Sequence, residues 1–277
     1  MISAAIFTLN EEVNLPRCLE SLRACDDVVV VDSFSADRTV DVARAAGARV
    51  FQHTFTGFGD QRQWAFKEIA FLHPWVLVLD ADERVTPELW EEMVRQASIA
   101  PKEVAAFRLK RRFFWDGRWL RHANLYPSWV VRLVRTDRVR YVNRGHAETQ
   151  EVKGRVESLE EDLLDENLKG VDEWRQRQAR YAEAEAHFEA SDAAPVCARG
   201  LFSLDPLVRR AALKRVARRF PARGVFYFAY AWLLRGGWLD GVVGFRFCLE
   251  KACFQQQIQL RAAELRRAQA TSRPESS

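Results

Sequence analysis

Apolar positions follow two rhythms through the first hundred residues. Ala4 to Thr8, Val28 to Val31 with Asp32 behind it, Arg49 to Phe51, and Val76 to Leu79 are compact runs of strand length. Between them Leu15, Cys18, Leu19 and Leu22 recur at helical spacing, and Thr39 to Ala46 makes a second helical stretch before Gly47. Thr86-Pro87-Glu88 reads as a helix start: a hydroxyl cap, a proline at the first helical position and an early acid facing the positive end of the dipole. Strands buried on both faces and alternating with helices predict an α/β domain on a mostly parallel sheet with right-handed crossovers.

Further along, Ala105 to Leu109 and Trp129 to Val134 also read as strands, with the aromatic stretch RRFFWDGRWLRHANLYPSW between them. Residues 159–190, acidic to mixed, read as helical in composition, and Asp205-Pro206 opens a third section. Residues 206–223 hold seven Lys and Arg and no acid. On a helical projection Ala212, Leu213, Val216, Ala217 and Phe220 share one side, and Arg210, Lys214, Arg215, Arg218 and Arg219 the other, with Arg209 intruding. That is the pattern of a helix lying in a membrane interface. The apolar run that follows, Val225 to Leu234, is ten residues, too short for a simple spanning helix. Tyr227, Tyr230, Trp232 and Trp238 are suitable interface anchors.

Composition narrows the class. Of 277 residues 48% are hydrophobic and 29% charged, which excludes a mainly disordered chain, a coiled-coil rod or a collagen-like fibre. The formal charge of +4 hides a division, net +9 over residues 201–277 and net −5 over residues 1–200. A uniform nucleic-acid-binding surface is therefore disfavoured, and the basic region invites an anionic partner, a lipid surface above all. The start, MISAAIFTLNEEVN, lacks the basic and apolar regions of a signal peptide. Five cysteines without a CxxC pair read as reduced thiols.

Candidate chemistry gathers at the carboxyl ends of the strands, where open α/β sheets collect ligands. Asp32 ends VVVVDS, and Asp80 and Asp82 end WVLVLDADE. Two residues apart in extended geometry, Asp80 and Asp82 leave one face of the chain, and two converging carboxylates repel unless a proton or cation sits between them. A hard divalent cation bridging them to a diphosphate resolves that repulsion, while turn or cap roles for the helix at Pro87 are the structural alternative. No G-x-G-x-x-G follows the first strand and no G-x-x-x-x-G-K-[ST] occurs, so dinucleotide and P-loop readings lose ground.

TLNEE, VVVVDSFSADRT, GFGDQRQWA and LVLDADE, in this order and spacing, closely resemble family 2 glycosyltransferases of the GT-A fold. The resemblance is nearest to the bacterial branch that adds sugars to the lipopolysaccharide inner core, the β-1,4-glucosyltransferases. It implies a catalytic domain over residues 1–200, with a nucleotide-sugar half to about residue 100 and an acceptor half beyond it. A basic, membrane-associating helical region over residues 201–270 and a frayed end at 271–277 complete the expected organisation. By the same resemblance Thr8, Asn10 and Glu11 line the nucleotide pocket, Asp32 meets the uracil, and Asp37 belongs to the same segment. Gln61, Arg62 and Lys67 lie near the donor, and Asp80 and Asp82 form a D-x-D motif holding Mg²⁺ or Mn²⁺, with Glu83 in support. In NRGHAETQ, Glu148 is the preferred base for deprotonating the attacking hydroxyl and His146 its neighbour or competitor, with Glu161, Asp162 and Asp165 as nearby acidic alternatives.

The implied activity is inverting transfer of a hexose, glucose above all, from a UDP-sugar to a lipid-linked acceptor, with the protein peripheral on the cytoplasmic face of the inner membrane. Polyprenyl phosphate or another envelope glycan is the alternative acceptor. A non-catalytic, membrane-associated protein of the same fold is the alternative class.

Overall fold

The computed structural model describes residues 1–144, 147–191, 209 and 222–271. They belong to two compact units, Met1–Val171 and Asp172–Ser277. The division lies earlier than the boundary near residue 200 read from the sequence.

The first unit is built on a nine-stranded sheet. Its strands are β1 (Ile2–Thr8), β2 (Val28–Asp32), β3 (Arg49–Gln52), β4 (Trp75–Asp80), β5 (Glu83–Val85), β6 (Val104–Trp115), β7 (Arg118–Trp119), β8 (Ser128–Arg135) and β11 (Arg155–Glu166). The spatial order is β3-β2-β1-β4-β8-β6-β11-β5, with β7 paired to β6. Six strands share one direction, and β5, β7 and β8 oppose it. β9 (Val139–Arg144) and β10 (Ala147–Val152) form a separate antiparallel pair. Helices α1 (Leu15–Ser21), α2 (Thr39–Ala45), α3 (Phe58–Glu68) and α4 (Pro87–Ile99) complete the layers.

β1 is buried along its whole length, and its alternate side chains enter opposite cores. Ile2, Ala4 and Ile6 pack with Leu15, Cys18, Leu19 and Leu22 of the α1 segment and with Leu89 and Met93 of α4. Ala5 and Phe7 pack with Ala65 and Ile69 at α3 and with Val139 and Tyr141 of β9. α4 starts as the sequence dictates: Leu89 N–H donates to Thr86 Oγ1 at 3.2 Å, and Pro87 follows the cap.

The stretch from residue 159 to 166 is strand β11, where the sequence composition suggested helix. Between the buried Leu159 and Leu163, Glu160 and Glu161 are both exposed and Asp162 is buried, because the pairing of β6 with β11 slips between Ser158 and Asp162. This bulge breaks the alternation that would have marked a strand. It also strands backbone donors, which the buried Glu92 carboxylate of α4 collects: Glu160 N–H at 2.9 Å and Glu161 N–H at 2.9 Å.

In the second unit α5 (Gly170–Ser191) begins at the unit boundary. α6 (Arg223–Ala229), a π-helical turn (Tyr230–Leu234), a 3₁₀ turn (Gly237–Asp240) and the long α7 (Gly241–Thr271) follow. α5 and α7 meet through Ala182, Ala186, Phe254, Ile258 and Ala262. Among the described residues no helix is long and apolar enough to cross a membrane. The basic stripe Arg210, Lys214, Arg215, Arg218 and Arg219 lies outside the described residues.

Candidate active site

Two loops at the carboxyl ends of β1 and β2 are stitched together by short polar side chains. Thr8 Oγ1 donates to Asp32 Oδ1 at 3.0 Å, Ser35 N–H to Asp32 Oδ2 at 2.9 Å, and Gln52 Nε2 to the same oxygen at 3.3 Å. Asp32 is fully buried at the end of β2, with its carboxylate fixed from two neighbouring strands and a turn. Asn10 takes the left-handed conformation (φ 56°). Its N–H donates to Ser35 Oγ at 2.7 Å, and its Oδ1 accepts Ala36 N–H at 2.8 Å. Glu11 N–H donates to Thr39 Oγ1, and Glu12 N–H to Asp37 Oδ2. Asp37 also accepts from the Thr39 hydroxyl and N–H. These donors outweigh burial and hold the Asp37 carboxyl below its ordinary range.

A third segment closes on this pair of loops. Lys169 Nζ reaches Glu11 Oε1 at 2.6 Å, and Asn14 Nδ2 donates to Glu11 Oε2 at 2.7 Å. Asn14 Oδ1 accepts Leu168 N–H at 2.8 Å. Burial pushes the Glu11 carboxyl up despite the lysine. Asn14, Asn167 and Lys169 were missed from the sequence, since nothing in a linear reading joins residues more than 150 apart.

Asp80 ends β4 and is gripped by two buried guanidiniums. Arg62 of α3 donates to Oδ1 at 2.6 Å and Arg132 of β8 to Oδ2 at 2.6 Å. Arg132 also donates to Glu83 Oε1 at 2.7 Å, and Asp80 N–H to Glu83 Oε2 at 3.0 Å. Arg132 arrives there because β6 pairs Phe107 with Leu133 but Arg108 with Val131, leaving residue 132 as the extra residue of a bulge. Burial alone would raise the Asp80 pKa; Arg132 and then Arg62 overcome it and hold the carboxyl well below the usual range. Burial raises Glu83 instead. A charged residue inside the apolar strand WVVRLVR was the available sequence signal for Arg132.

The expectation that Asp80 and Asp82 share a face of an extended strand is corrected here. Ala81 and Asp82 form a turn between β4 and β5, so the two side chains meet different partners. Asp82 Oδ2 accepts Asn167 Nδ2 at 3.3 Å, and its carbonyl accepts Glu166 N–H at 2.9 Å. Asp165, opposite Glu83 in the β11–β5 register, pairs with Arg111 at 3.1 Å. Burial, then the Asp82 charge, pushes the Asp165 carboxyl up. Among the described residues no three His, Cys, Asp or Glu side chains stand at metal-ligand spacing. The set fits a cation that takes one or two carboxylates and completes its shell with phosphate and water, as Mg²⁺ does. Both oxygens of Asp80 are engaged by arginine, and Asp82 stands in the turn with Asn167 on its Oδ2.

Gln61 is buried and donates to Ser33 Oγ at 2.6 Å, so it joins the same edge. Lys67 does not join the cluster; its exposed ammonium pairs with Glu68 at 3.3 Å. Glu148 has its backbone in β10, paired with Asn143, while its side chain and the whole of His146 lie outside the described residues. The Tyr141 hydroxyl is buried without a hydrogen-bond partner among the described residues, and burial raises its pKa to about 12.

Against known proteins, this chain is 33% identical over 145 residues to the lipopolysaccharide core biosynthesis glycosyltransferase LpsC of Rhizobium meliloti, covering 50% of this chain and 53% of that protein. It is 39% identical over 93 residues to an uncharacterized glycosyltransferase of Rickettsia typhi, covering 33% and 31%. The chain thus spans about half, or less, of the curated relatives it matches. Among solved structures, S. aureus TarS in complex with UDP-GlcNAc is similar at TM-score 0.45 and 16% identity, covering 96% of this chain and 92% of that one. Glucosyl-3-phosphoglycerate synthase from Mycobacterium tuberculosis, in complex with phosphoglyceric acid, gives TM-score 0.46 and 17% identity over 70% of this chain and 81% of that one. At these values the solved structures carry no argument about ligand or chemistry. The sequence profile of glycosyl transferase family 2 matches residues 3–160, a span that takes in β2, β3, β4 and all but the first residue of β1, the D-x-D turn and both arginines on Asp80, and the chain belongs to that family.

Proposed function

We propose that the protein transfers a sugar from a nucleotide donor, a UDP-sugar, to an envelope-related glycan carried on a lipid. The observation that carries this reading is the strand-end cluster of Asp32, Asp80 and Asp82 with its arginine clamp, inside a family 2 match. An envelope glycan in general, a polyprenyl-phosphate-linked one included, is better supported than the lipopolysaccharide inner core alone. The Rhizobium relative's name supports the core saccharide as one member of that class.

In this reading the β1 and β2 loops receive the nucleoside, with Thr8, Asn10, Glu11, Asp32 and Asp37 along them and Gln61 beside Ser33. Arg62 and Arg132 fix Asp80 and so set the turn that presents Asp82. Asp82 would hold Mg²⁺ or Mn²⁺, which when bound would supply charge stabilisation for the departing nucleoside diphosphate. Glu148 takes the proton from the attacking hydroxyl, and a single displacement of this kind inverts the anomeric centre. The protein works at the cytoplasmic face of the inner membrane, where a lipid-linked acceptor is presented.

The test is a nucleotide-sugar panel on the purified protein, with acceptor glycolipids analysed by mass spectrometry. Asp82→Asn is expected to lower transfer by about 10²-fold or more while circular dichroism is unchanged, and chelation is expected to stop wild-type turnover, with Mg²⁺ or Mn²⁺ restoring it. Glu148→Gln is expected to keep donor binding and lose about 10²-fold in transfer. Full activity in Asp82→Asn and after chelation rejects the cation role.

A further inference from the structure

The corner between α6 and α7 leaves large apolar side chains in water on a rigid frame. Leu233 is 63% exposed, Leu234 81%, Trp238 55% and Val242 74%, with Phe226 and Leu239 also exposed beside them in sequence. A loose core does not explain this exposure. Among them Phe228, Trp232 and the exposed Phe245 stack and cross with centroids 5.2 to 6.2 Å apart. A Cβ on Gly244 would stand 2.4 Å from the Gly237 carbonyl oxygen, and one on Gly237 2.8 Å from that of Ala231. The turn itself passes through Gly236 at φ 73°, a left-handed conformation that suits glycine. Backbone is packed on backbone here, and the aliphatic tips are held outward.

Charge around this corner is largely of one sign. From Ala222 to Leu249 the described chain holds three arginines, Arg223, Arg235 and Arg246, and one acid. That acid, Asp240, is buried. Arg235 lies over the Tyr230 ring at 5.7 Å, and Arg246 is exposed on the first turns of α7.

We propose that this corner is a membrane-docking surface: Leu233, Leu234, Leu239 and Val242 enter the acyl region of an anionic bilayer, with Trp238 and Tyr230 at headgroup level. Aliphatic tips, flanking amphipathic rings and exposed arginine with the one nearby acid buried are the combination an anionic interface selects. The inference deepens the proposed lipid-linked acceptor and rests on that reading for the choice of lipid as occupant. It assigns the hydrophobic part of membrane attachment to the π-helical and 3₁₀ turns, which carry Tyr230, Trp232 and Trp238 of the aromatic anchors read in the sequence. Binding should then persist when salt has screened the charge.

The experiment is co-sedimentation of the full chain with vesicles of phosphatidylcholine, with and without phosphatidylglycerol, at low and high salt. Wild type is expected to bind the anionic vesicles and to retain part of that binding at high salt. L233S/L234S, altered only at exposed positions, is expected to lose about 10-fold or more of its partitioning. L260S, at a leucine 56% exposed farther along α7, should bind as wild type. Brominated acyl chains should quench a tryptophan signal that W238F lacks. Equal partitioning of L233S/L234S and wild type overturns the proposal. So does a wild-type dimer, without vesicle binding, that L233S/L234S converts to monomer; the corner would then join two copies. Calorimetric titration with UDP, the part common to every donor of the proposed class, separates the two readings: vesicle binding without UDP binding rejects the transferase and leaves the docking surface standing.

Discussion

The two halves of the sheet are built by different rules. In β3-β2-β1-β4 every pairing is parallel and the register runs unbroken, from Ala4 against Val28 to Thr8 against Asp32. In β8-β6-β11 the register slips, and charged side chains meet the slips: Arg132 is the extra residue of one, and Glu92 caps the donors of another. The regular half supplies a platform of fixed strand ends. The irregular half aims individual groups at it. A bulge turns a residue that would have followed the pleat toward a new partner, here Arg132 toward Asp80 and Glu83.

The difference can be broken at its most charged point. Arg132→Met leaves Asp80 and Glu83 together without their shared cation, and a loss of about 3 to 5 kcal/mol in urea unfolding is expected. Arg132→Lys keeps the charge without the guanidinium geometry and should recover part of it. Glu92→Leu strands the N–H groups of the β11 bulge, with an expected cost of about 2 to 3 kcal/mol by the same measurement. Glu92→Gln, which can still accept, should cost less.

The regular half is sharpened by pH. Asp27 has a fully buried side chain that accepts from Ser3 Oγ at 2.5 Å, Leu72 N–H at 2.8 Å and Arg49 at 2.9 Å. Burial raises its pKa, but these partners prevail and hold the carboxyl below the ordinary value of 3.8. A depressed carboxylate contributes stability that is present above the unfolded value and lost as pH falls through the folded one. Asp27→Asn should therefore flatten the acid limb of stability below about pH 4, measured as urea midpoint against pH. The smallest effect is expected at Phe34, exposed and left-handed at φ 60° in the turn after Asp32. Phe34→Gly relieves that conformation and should change stability by about 1 kcal/mol or less, because glycine's greater freedom when unfolded offsets the gain.

The same contrast decides what could be read in advance. β1, β2, β3 and β4 and helices α1, α2 and α4 were legible, because strands buried on both faces write uninterrupted apolar runs and Thr86-Pro87-Glu88 is a complete start signal. β11 was read as helix because its bulge exposes Glu160 and Glu161 together and buries Asp162 beside Leu163, which erases the strand alternation, and charges fill the exposed positions. α3 was not read at all, since its buried face is made of Gly59, Gln61, Arg62 and Ala65. Of the site, Asp32 and Asp80 were legible as acids closing apolar runs. The Glu11–Lys169 pair and the Arg132 clamp were not, because their meaning is spatial.

β5 holds three residues and sits at the edge of the sheet, with β11 as its neighbour in the ladder. Its register joins Glu83 to Asp165 and Val85 to Leu163. The strand that follows the D-x-D turn therefore has no sheet partner until about 80 further residues have left the ribosome. Contacts of such wide sequence separation form late, since the intervening chain must first be ordered. The four parallel strands can assemble from the first 80 residues, but Glu83, which holds both the Asp80 amide and Arg132, waits for β11. During synthesis the platform precedes the site, and a nascent chain short of residue 165 holds the strand ends without the turn that completes them.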